Sequence, residues 1–507
     1  MKKIYKSFII VLLITILSKV ASFISEVIIA YILGTTQKAD AYSMIIGIHQ
    51  VIYPMLNVGI WSIFLPMYKK MITLEENEKA DSLINKVISL FSIISIILVI
   101  CINVFAKYII AFIANGFDAE LQSECVKLLK IYSPYFIFVI ISSIYAAVLQ
   151  SHEKFFGSQI REVVTYLPTI FLGPILYKVY DVAGLVIALL IGSILRLLVL
   201  LPFIDWNYKF KVDLNFKDSN IINMMKSIPA VLVTTGVEQV NLLVDKMMAS
   251  NLAVGAVSSL NYGNKLINVC NGLFTSAIST TIYPTMSKLI AEEKKEEFKK
   301  LMEKIIIITA IIIIPMSIVM LLLRKEIVSL VFERGQFNKE SVEITSMVFA
   351  GYLIGMYYIG IKIIINNAFY SIGNAKIIMK FSIVTILVNI ILNFVLIKIM
   401  GIMGLAVATS IASILYFILT IQYLNKTDYI NIKNILIKLT QIYVITLITY
   451  AVGYLFKILI GNINYILVIA FTGILFVIVY VFQLRILKLD EYKEVINLIK
   501  NKIRRRE

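Results

Sequence analysis

Long apolar runs, broken by short polar stretches, recur from one end of the chain to the other. Each run of about 18 or more apolar residues can cross a hydrocarbon core of ~30 Å as a helix. About fourteen such runs can be marked, at 7–33, 41–68, 87–113, 127–150, 159–178, 182–204, 227–250, 256–286, 304–324, 341–370, 376–399, 402–424, 435–458 and 463–484. Two of them carry the same polar stripe. Lys19, Ser22 and Glu26 interrupt the first, and Glu238, Asn241 and Asp245 interrupt the seventh. The i, i+3, i+7 spacing puts each triplet on one helix face. An ionisable group at mid-bilayer depth costs at least ~2.5 kcal/mol, so it faces a partner or a water-filled cavity. For Ser22 or Asn241 alone, a hydrogen-bonded seam between helices is the plainer reading. The charged members point instead to a polar cavity between two halves of a duplicated bundle.

Other landmarks repeat at the same offset. Phe64-Leu65-Pro66-Met67-Tyr68-Lys69-Lys70 closes the second run, and Ile282-Tyr283-Pro284-Thr285-Met286-Ser287-Lys288 closes the eighth. A Glu/Lys-rich loop follows each, at 73–86 and 291–304, and then an isoleucine-rich run. Lys107 to Gly116 parallels Lys325 to Gly335. The separation stays at 218–219 residues. Both copies begin on the same side, so they are parallel repeats about an axis along the membrane normal. The expected fold is an all-α polytopic membrane protein of about 14 transmembrane helices. Residues 1–226 would form an N-lobe of six helices and 227–430 a C-lobe of six, with 431–507 adding two helices and a basic tail.

Composition agrees with this pattern: 60% of the 507 residues are hydrophobic, and the mean hydropathy is +0.89. Positive charge is one-sided. Lys2, Lys3 and Lys6, then Lys69, Lys70, Lys79 and Lys86, Lys154 and Arg161, Lys209 to Lys226, Lys376, Lys380, Lys426 to Lys438 and the tail ending in Arg504, Arg505 and Arg506 all fall on one side. Short or acidic loops such as 115–123, 247–255 and 399–402 fall on the other. The positive-inside rule then puts both termini in the cytoplasm. This bias, with contact to anionic lipid headgroups, accounts for the net charge of +17. No extramembrane stretch is long enough for a nucleic-acid-binding domain, so no nucleic-acid partner is expected. The 288–304 loop mixes lysines with Glu292, Glu293, Glu296 and Glu297 and reads as a solvated helical face. The N-terminal apolar run is too long for a cleaved signal. Cys101, Cys125 and Cys270 have no metal or redox spacing.

At this point the chain resembles a known family. Val244-Asp245-Lys246 through Leu260-Asn261-Tyr262-Gly263-Asn264-Lys265-Leu266, running on to Ile282-Tyr283-Pro284, is similar to the MurJ (MviN-like) lipid II flippases of the multidrug/oligosaccharidyl-lipid/polysaccharide exporter superfamily. Phe332-Glu333-Arg334-Gly335-Gln336-Phe337, Asp40-Ala41-Tyr42 and Pro134-Tyr135 resemble further family motifs. The likeness covers roughly residues 5–425, and two further spans fit the two helices these proteins add. It implies a monomeric flippase of the bacterial cytoplasmic (inner) membrane with no enzymatic chemistry. Two lobes would rock around a central cationic cavity and carry undecaprenyl-pyrophosphate-linked saccharide across, and the last two helices would line a groove for the lipid tail. Cationic side chains suit the pyrophosphate by charge and hydrogen bonding.

The chain departs from the family in that cavity. The resemblance matches Lys19 and Lys265 to two family arginines, but Ser25 (beside Glu26) and Ile52 (with His49 a turn earlier) stand where two others would be. Lysine lacks arginine's bidentate fork. Lys19, Glu26, Asp40, His49, Lys265 and Lys362 are the candidate substrate-binding residues. His49 has the alternative of a satisfied interior histidine. Arg196, a turn and a half from Pro202, is expected to snorkel, as is Lys246. Glu238, Asn241, Asp245, Asn389, Asn393 and Thr409 could hold Na⁺, a site the resemblance also implies between helices 7, 11 and 12. Asparagine packing between helices is the competing account. No cofactor is expected, and coupling is open to Na⁺, H⁺ or the membrane potential. The thinned cation set keeps open a capsule, O-antigen or teichoic-type precursor as cargo. A cation-coupled drug exporter predicts twelve helices, and a membrane glycosyltransferase needs a longer loop than the ~20 residues found here.

Overall fold

The computed structural model describes residues 2–204, 208, 210–461, 464–487 and 491–492. The basic tail and Lys209 lie outside the described residues, as do the side chains of Lys2, Lys3, Lys6 and Glu238. The described residues form helices joined by turns and short irregular stretches, the longest at 210–215, with no strand among them. The chain divides into two compact units, Met1–Ser258 with Arg334–Phe337 and Ser259–Glu333 with Asn338–Glu507.

The first unit holds α1 (Lys2–Leu33), α2 (Gln37–Gly59), α3 (Leu65–Thr73), α4 (Asn77–Ile113), α5 (Ala119–Tyr132) and α6 (Tyr135–Ser151). It continues with α7 (Phe155–Val164), α8 (Leu167–Phe171), α9 (Gly173–Tyr180), α10 (Val182–Leu198) and α11 (Ser219–Ala249). A π-helical turn, Ile60–Phe64, joins α2 to α3. Such wide turns shift the helix face by one residue and often mark functional sites. Here the shifted face carries Trp61. Side-chain oxygens of Thr36, Asp118 and Asp218 accept from the first-turn amides of α2, α5 and α11, as expected of helix N-caps. α2 packs against α11 and α5, and α1 against α7 and α8.

α12 (Ala256–Ala291) starts in the first unit and runs through the second. The second unit then holds α13 (Lys295–Leu322), α14 (Arg324–Phe332), α15 (Lys339–Ile372), α16 (Ala375–Met400), α17 (Ile402–Lys426), α18 (Ile432–Ile460) and α19 (Tyr465–Leu487). α15 packs on α13 and α17, α16 on α17, and α18 on α13 and α19. Tyr480 of α19 donates to the Ile311 carbonyl of α13, and Lys457 of α18 pairs with Glu326 of α14 at 2.7 Å.

Helix starts recur along the chain. α2 and α12 begin at Gln37 and Ala256, α4 and α13 at Asn77 and Lys295, α7 and α16 at Phe155 and Ala375, α10 and α17 at Val182 and Ile402. Among the described residues, 11 helices are long and apolar enough to cross a membrane, or 12 if the pair Phe155–Phe171 and Gly173–Tyr180, bent by 47°, is one span. The chain is therefore an all-helical, multi-pass membrane protein. α11 and α12, at 31 and 36 residues, are also long but carry more polar residues and fall outside that count.

Candidate functional site

Within the first unit, polar groups from α1, α2 and α11 meet. Lys246 on α11 is buried, and its ammonium donates to the Ser43 carbonyl at 2.9 Å and to Gln50 Oε1 at 3.4 Å. The expected snorkelling is therefore wrong. The Lys246 stem lies against Gly47, where a Cβ would come within 2.7 Å of its Cδ, so the ammonium stays inside and takes a backbone acceptor. The Glu26 carboxylate interacts electrostatically with it. Asp245 is buried, and Asn241 Oδ1 is buried without a hydrogen-bond partner. The Glu238 side chain lies outside the described residues. Lys19 is exposed, Ser22 and Glu26 are half-buried, and Ser25 is buried.

Asp40 has a different task from the one expected. It is 2% exposed, with Oδ2 accepting from the Gly255 amide at 2.7 Å and Oδ1 from the amide and hydroxyl of Ser258, each at 2.8 Å. Both oxygens are occupied at the start of α12, where a carboxylate satisfies otherwise unpaired amides and the helix dipole. Asp40 is a buried capping group, with both oxygens engaged by the protein's own amides and hydroxyl.

His49 is half-buried among rings. It stacks on Tyr53 at 5.3 Å and meets Tyr132 and Tyr135 edge-on at 5.9 and 5.0 Å. Its Nδ1 is buried with no hydrogen-bond partner.

Beyond Tyr53 lies a set of residues that the sequence reading left out. Arg196, from α10, was expected to snorkel and is instead 3% exposed, as is Arg161 of α7, expected among the basic residues of one membrane side. Both meet Glu162. Arg196 clasps it with two 2.8 Å bonds, Nη1 to Oε2 and Nη2 to Oε1, while Arg161 Nη2 lies 3.0 Å from Oε1. Arg196 Nη2 also donates to Tyr53 Oη at 2.9 Å. The Arg161 guanidinium lies over the Trp61 ring at 5.7 Å, and Trp61 Nε1 donates to Asn57 Oδ1 at 3.0 Å. The available signal was two arginines inside the apolar runs 159–178 and 182–204, where a charge needs a partner.

In the second unit Lys265 on α12 is half-buried. Lys362 on α15 is also half-buried, with its ammonium 4.8 Å from the centre of the Tyr416 ring, a cation–π distance. Asn389 and Asn393 of α16 are buried; Asn393 Nδ2 donates to Asn389 Oδ1 at 3.2 Å, and Asn389 Nδ2 donates to Thr409 Oγ1 of α17 at 3.4 Å. The structure thus brings these three together, while Asn241 and Asp245 belong to the first unit.

Fold and charged interior define a polytopic membrane protein of the transporter class. The sequence profile of the family described as lipid II flippase MurJ matches residues 29–476, and the chain belongs to that family. A probable lipid II flippase MurJ of Thermotoga maritima is 25% identical over 490 residues, covering 95% of this chain and 96% of that protein. One from Buchnera aphidicola is 26% identical over 433 residues, covering 84% of each. A solved lipid II flippase MurJ in an inward closed conformation superposes with a TM-score of 0.81 at 26% identity, covering 96% of this chain and 100% of the other. An inward-facing multidrug resistance MATE family transporter of the MOP superfamily shares the fold, with a TM-score of 0.69 at 12% identity, covering 80% and 95%.

Proposed function

We propose that this protein is a lipid II flippase. It translocates the undecaprenyl-pyrophosphate-linked peptidoglycan precursor across the bacterial cytoplasmic membrane by alternating access. The family match from residue 29 to 476 carries this reading. The physical problem is a dianionic, sugar-bearing head that the hydrocarbon core excludes. A polar route with cationic side chains lowers that barrier, and no covalent step is needed. Lys19 and Lys265 are the proposed headgroup cations, with Glu26, His49 and Lys362 as further polar groups along the route. Asp40 is not in this set, because its oxygens cap α12.

In this reading α11 and α12 also cross the membrane, bringing the number of spans to about fourteen. They form two six-helix repeats followed by α18 and α19, with boundaries near 226 and 430. Both termini face the cytoplasm, the basic loops contact anionic lipid, and the chain acts as a monomer. Coupling to Na⁺, H⁺ or the membrane potential belongs to the same proposal. Glu238, Asn241 and Asp245 of the first unit, and Asn389, Asn393 and Thr409 of the second, are the candidate coupling residues, carboxylates and amide oxygens being suited to Na⁺. Ser25 and Ile52, at positions expected to be arginine, favour one alternative: a flippase for another lipid-linked saccharide.

Complementation tests this. The chain is expressed in cells depleted of their own lipid II flippase, and growth and lipid II translocation are followed. Rescue of both is expected. Failure there, with rescue of a capsule-flippase mutant, selects the alternative.

A further inference from the structure

The Arg161–Glu162–Arg196 cluster is costly as architecture. Two guanidinium groups share one carboxylate, and replacing such a buried triad with apolar side chains is often neutral or stabilising. One positive charge is left without an acidic partner among the described residues in ion-pair contact with the cluster. The three side chains are also unequally buried. The arginine side chains are 4% and 3% exposed and the glutamate 30%, so the anion is the accessible member of the cluster and the cations lie beneath the surface.

Each guanidinium is held in place by neutral groups that do not involve Glu162. Arg196 Nε donates to Ser142 Oγ at 3.0 Å, and Arg161 Nε donates to the Ser158 carbonyl at 3.0 Å. Arg161 Nη1 adds a 3.2 Å bond to Ser143 Oγ. If the carboxylate swung outward, both forks would stay aimed at the vacated position. The result would be a dication with fixed donors, suited to an anion with oxygens on two neighbouring centres. A diphosphate diester carries one ionised oxygen on each phosphorus and matches it in charge and in hydrogen-bond geometry.

We infer that Arg161 and Arg196 form a diphosphate subsite of the first unit, with Glu162 as a resident anion that the substrate diphosphate displaces and that returns to expel it. This rests on the lipid-diphosphate flippase reading. It also gives the chain a pair of arginine forks on α7 and α10, where α1 and α2 lack them at Ser25 and Ile52. The exchange is non-covalent: one carboxylate leaves the guanidinium pair as one dianion arrives, taking the pair from one net positive charge to neutrality.

The test uses the full-length protein in nanodiscs, titrated calorimetrically with inorganic pyrophosphate, with lipid II translocation by the wild type measured alongside. Glu162→Gln removes the competing charge and is expected to tighten pyrophosphate binding at least fivefold. Adding Arg196→Lys should reverse the gain. A folded Glu162→Gln protein with unchanged or weaker binding overturns the proposal and leaves a structural tie. Glu162→Asp, too short to bridge both guanidiniums, is expected to tighten binding at least twofold. It decides the matter if the glutamine variant does not fold. Failure of both to fold also overturns the proposal, since the carboxylate then could not be released. If the wild type flips lipid II while the variants show no gain, only the subsite falls. If it does not flip lipid II but the gain appears, the substrate reading falls and the subsite stands.

Discussion

Asp40 Oδ1 accepts hydrogen bonds from both the amide and the hydroxyl of Ser258, each at 2.8 Å and across 218 residues of chain. That separation falls within the 218–219-residue offset at which the sequence landmarks recur. Asp40 lies in the first turn of α2, and Ser258 in the first turn of α12. Serine at both positions would lose the charged cap, and aspartate at both would set two carboxylates against each other. One of each joins the two helix starts.

Removing the charge should show this. Asp40→Asn keeps the size but replaces one acceptor oxygen with a donor, leaving an amide of Gly255 or Ser258 poorly paired in a buried place. An unsatisfied buried group costs ~1–3 kcal/mol. Ser258→Ala loses only the hydroxyl bond, for about 1 kcal/mol. Thermal melting in detergent should therefore rank Asp40→Asn below Ser258→Ala, and Ser258→Ala below wild type. Equal melting temperatures for all three would remove the cap from the account.

A second reciprocal contact lies nearby. Gly335 has φ +61, and a Cβ there would fall 2.3 Å from the Tyr31 carbonyl oxygen; a Cβ on Gly116 would fall 2.3 Å from the Ser250 carbonyl oxygen. Gln336 N donates to Tyr31 O at 2.9 Å. In each case a loop glycine closes on the C-terminal end of a long helix, α1 at Tyr31 and α11 at Ser250. Gly335→Ala suffers both the clash and a left-handed backbone and should destabilise by roughly 1–3 kcal/mol or more. Gly116→Ala suffers the clash alone and should cost less. Gly473, with nothing within 4 Å, is the control: as a helix-interior glycine, its change to Ala should stabilise by about 0.5–1 kcal/mol.

Much of this was legible in the sequence, for physical reasons that also set the limit. Apolar run length marked the long helices, because hydrocarbon thickness imposes a length. The shared offset of the Pro66 and Pro284 motifs anticipated the recurring helix starts. Partner choice was not legible. Arg161 read as one of the basic residues of one membrane side and Arg196 as a snorkelling one, because their common partner Glu162 becomes adjacent to Arg196 only when α7 folds onto α10. Asp40 read as a cavity acid for the same reason, since its partners lie more than two hundred residues along the chain. Within the run 159–178, the 47° bend between Phe171 and Gly173, beside Pro174, is a feature that run length alone does not register.

Asp181 exposes a local strain. Its backbone has φ 55 and ψ −143, almost the same as Gly401, at φ 57 and ψ −137, which precedes α17 as Asp181 precedes α10. That region is essentially open to glycine alone and costs another residue ~1–3 kcal/mol. The compensating ion pair with Lys38 is half exposed, and such surface pairs are worth ~0–1 kcal/mol. Asp181→Gly should therefore raise the melting temperature despite losing the pair. A lower melting temperature would mean the Lys38 contact outweighs the strain.

Acid sensitivity should come from the loops outside the membrane. The Lys86 ammonium, 2.8 Å away, holds the Asp218 carboxyl below its ordinary value, and Lys299 does the same for Asp428. A carboxylate whose pKa is lowered by folding stabilises the protein at pH above its unfolded value, ~3.9. The benefit is lost as pH falls through the lower, folded value. Melting temperature should therefore be insensitive to these pairs from about pH 5 to 8 and fall below about pH 4. Asp218→Asn should lower stability near neutrality and shrink the acid-side decline; an unchanged decline would assign it to other groups.

Transport should depend on charge at Lys19 and Lys265 and less on the shape of the side chain. Lys19 is exposed and Lys265 half-buried, so neither is as deeply buried as Arg161 and Arg196. Substitution should leave the fold intact. A diphosphate crossing the apolar interior needs counter-charge along its path, and losing one cation there removes a charge-assisted hydrogen bond worth about 1.5–3 kcal/mol. Each Lys→Ala change should therefore slow lipid II translocation in proteoliposomes by roughly ten- to a hundredfold. Lys→Arg should retain most of the activity, since arginine supplies the same charge with a better fork. Salt should matter too: a cation that meets its substrate in a wet cavity is screened, so raising ionic strength should narrow the gap between wild type and Lys19→Ala. If the Lys19→Ala, Lys265→Ala double variant flips lipid II at the wild-type rate, the cationic route does not run through these side chains, and the arginine pair on α7 and α10 becomes the first place to look for it.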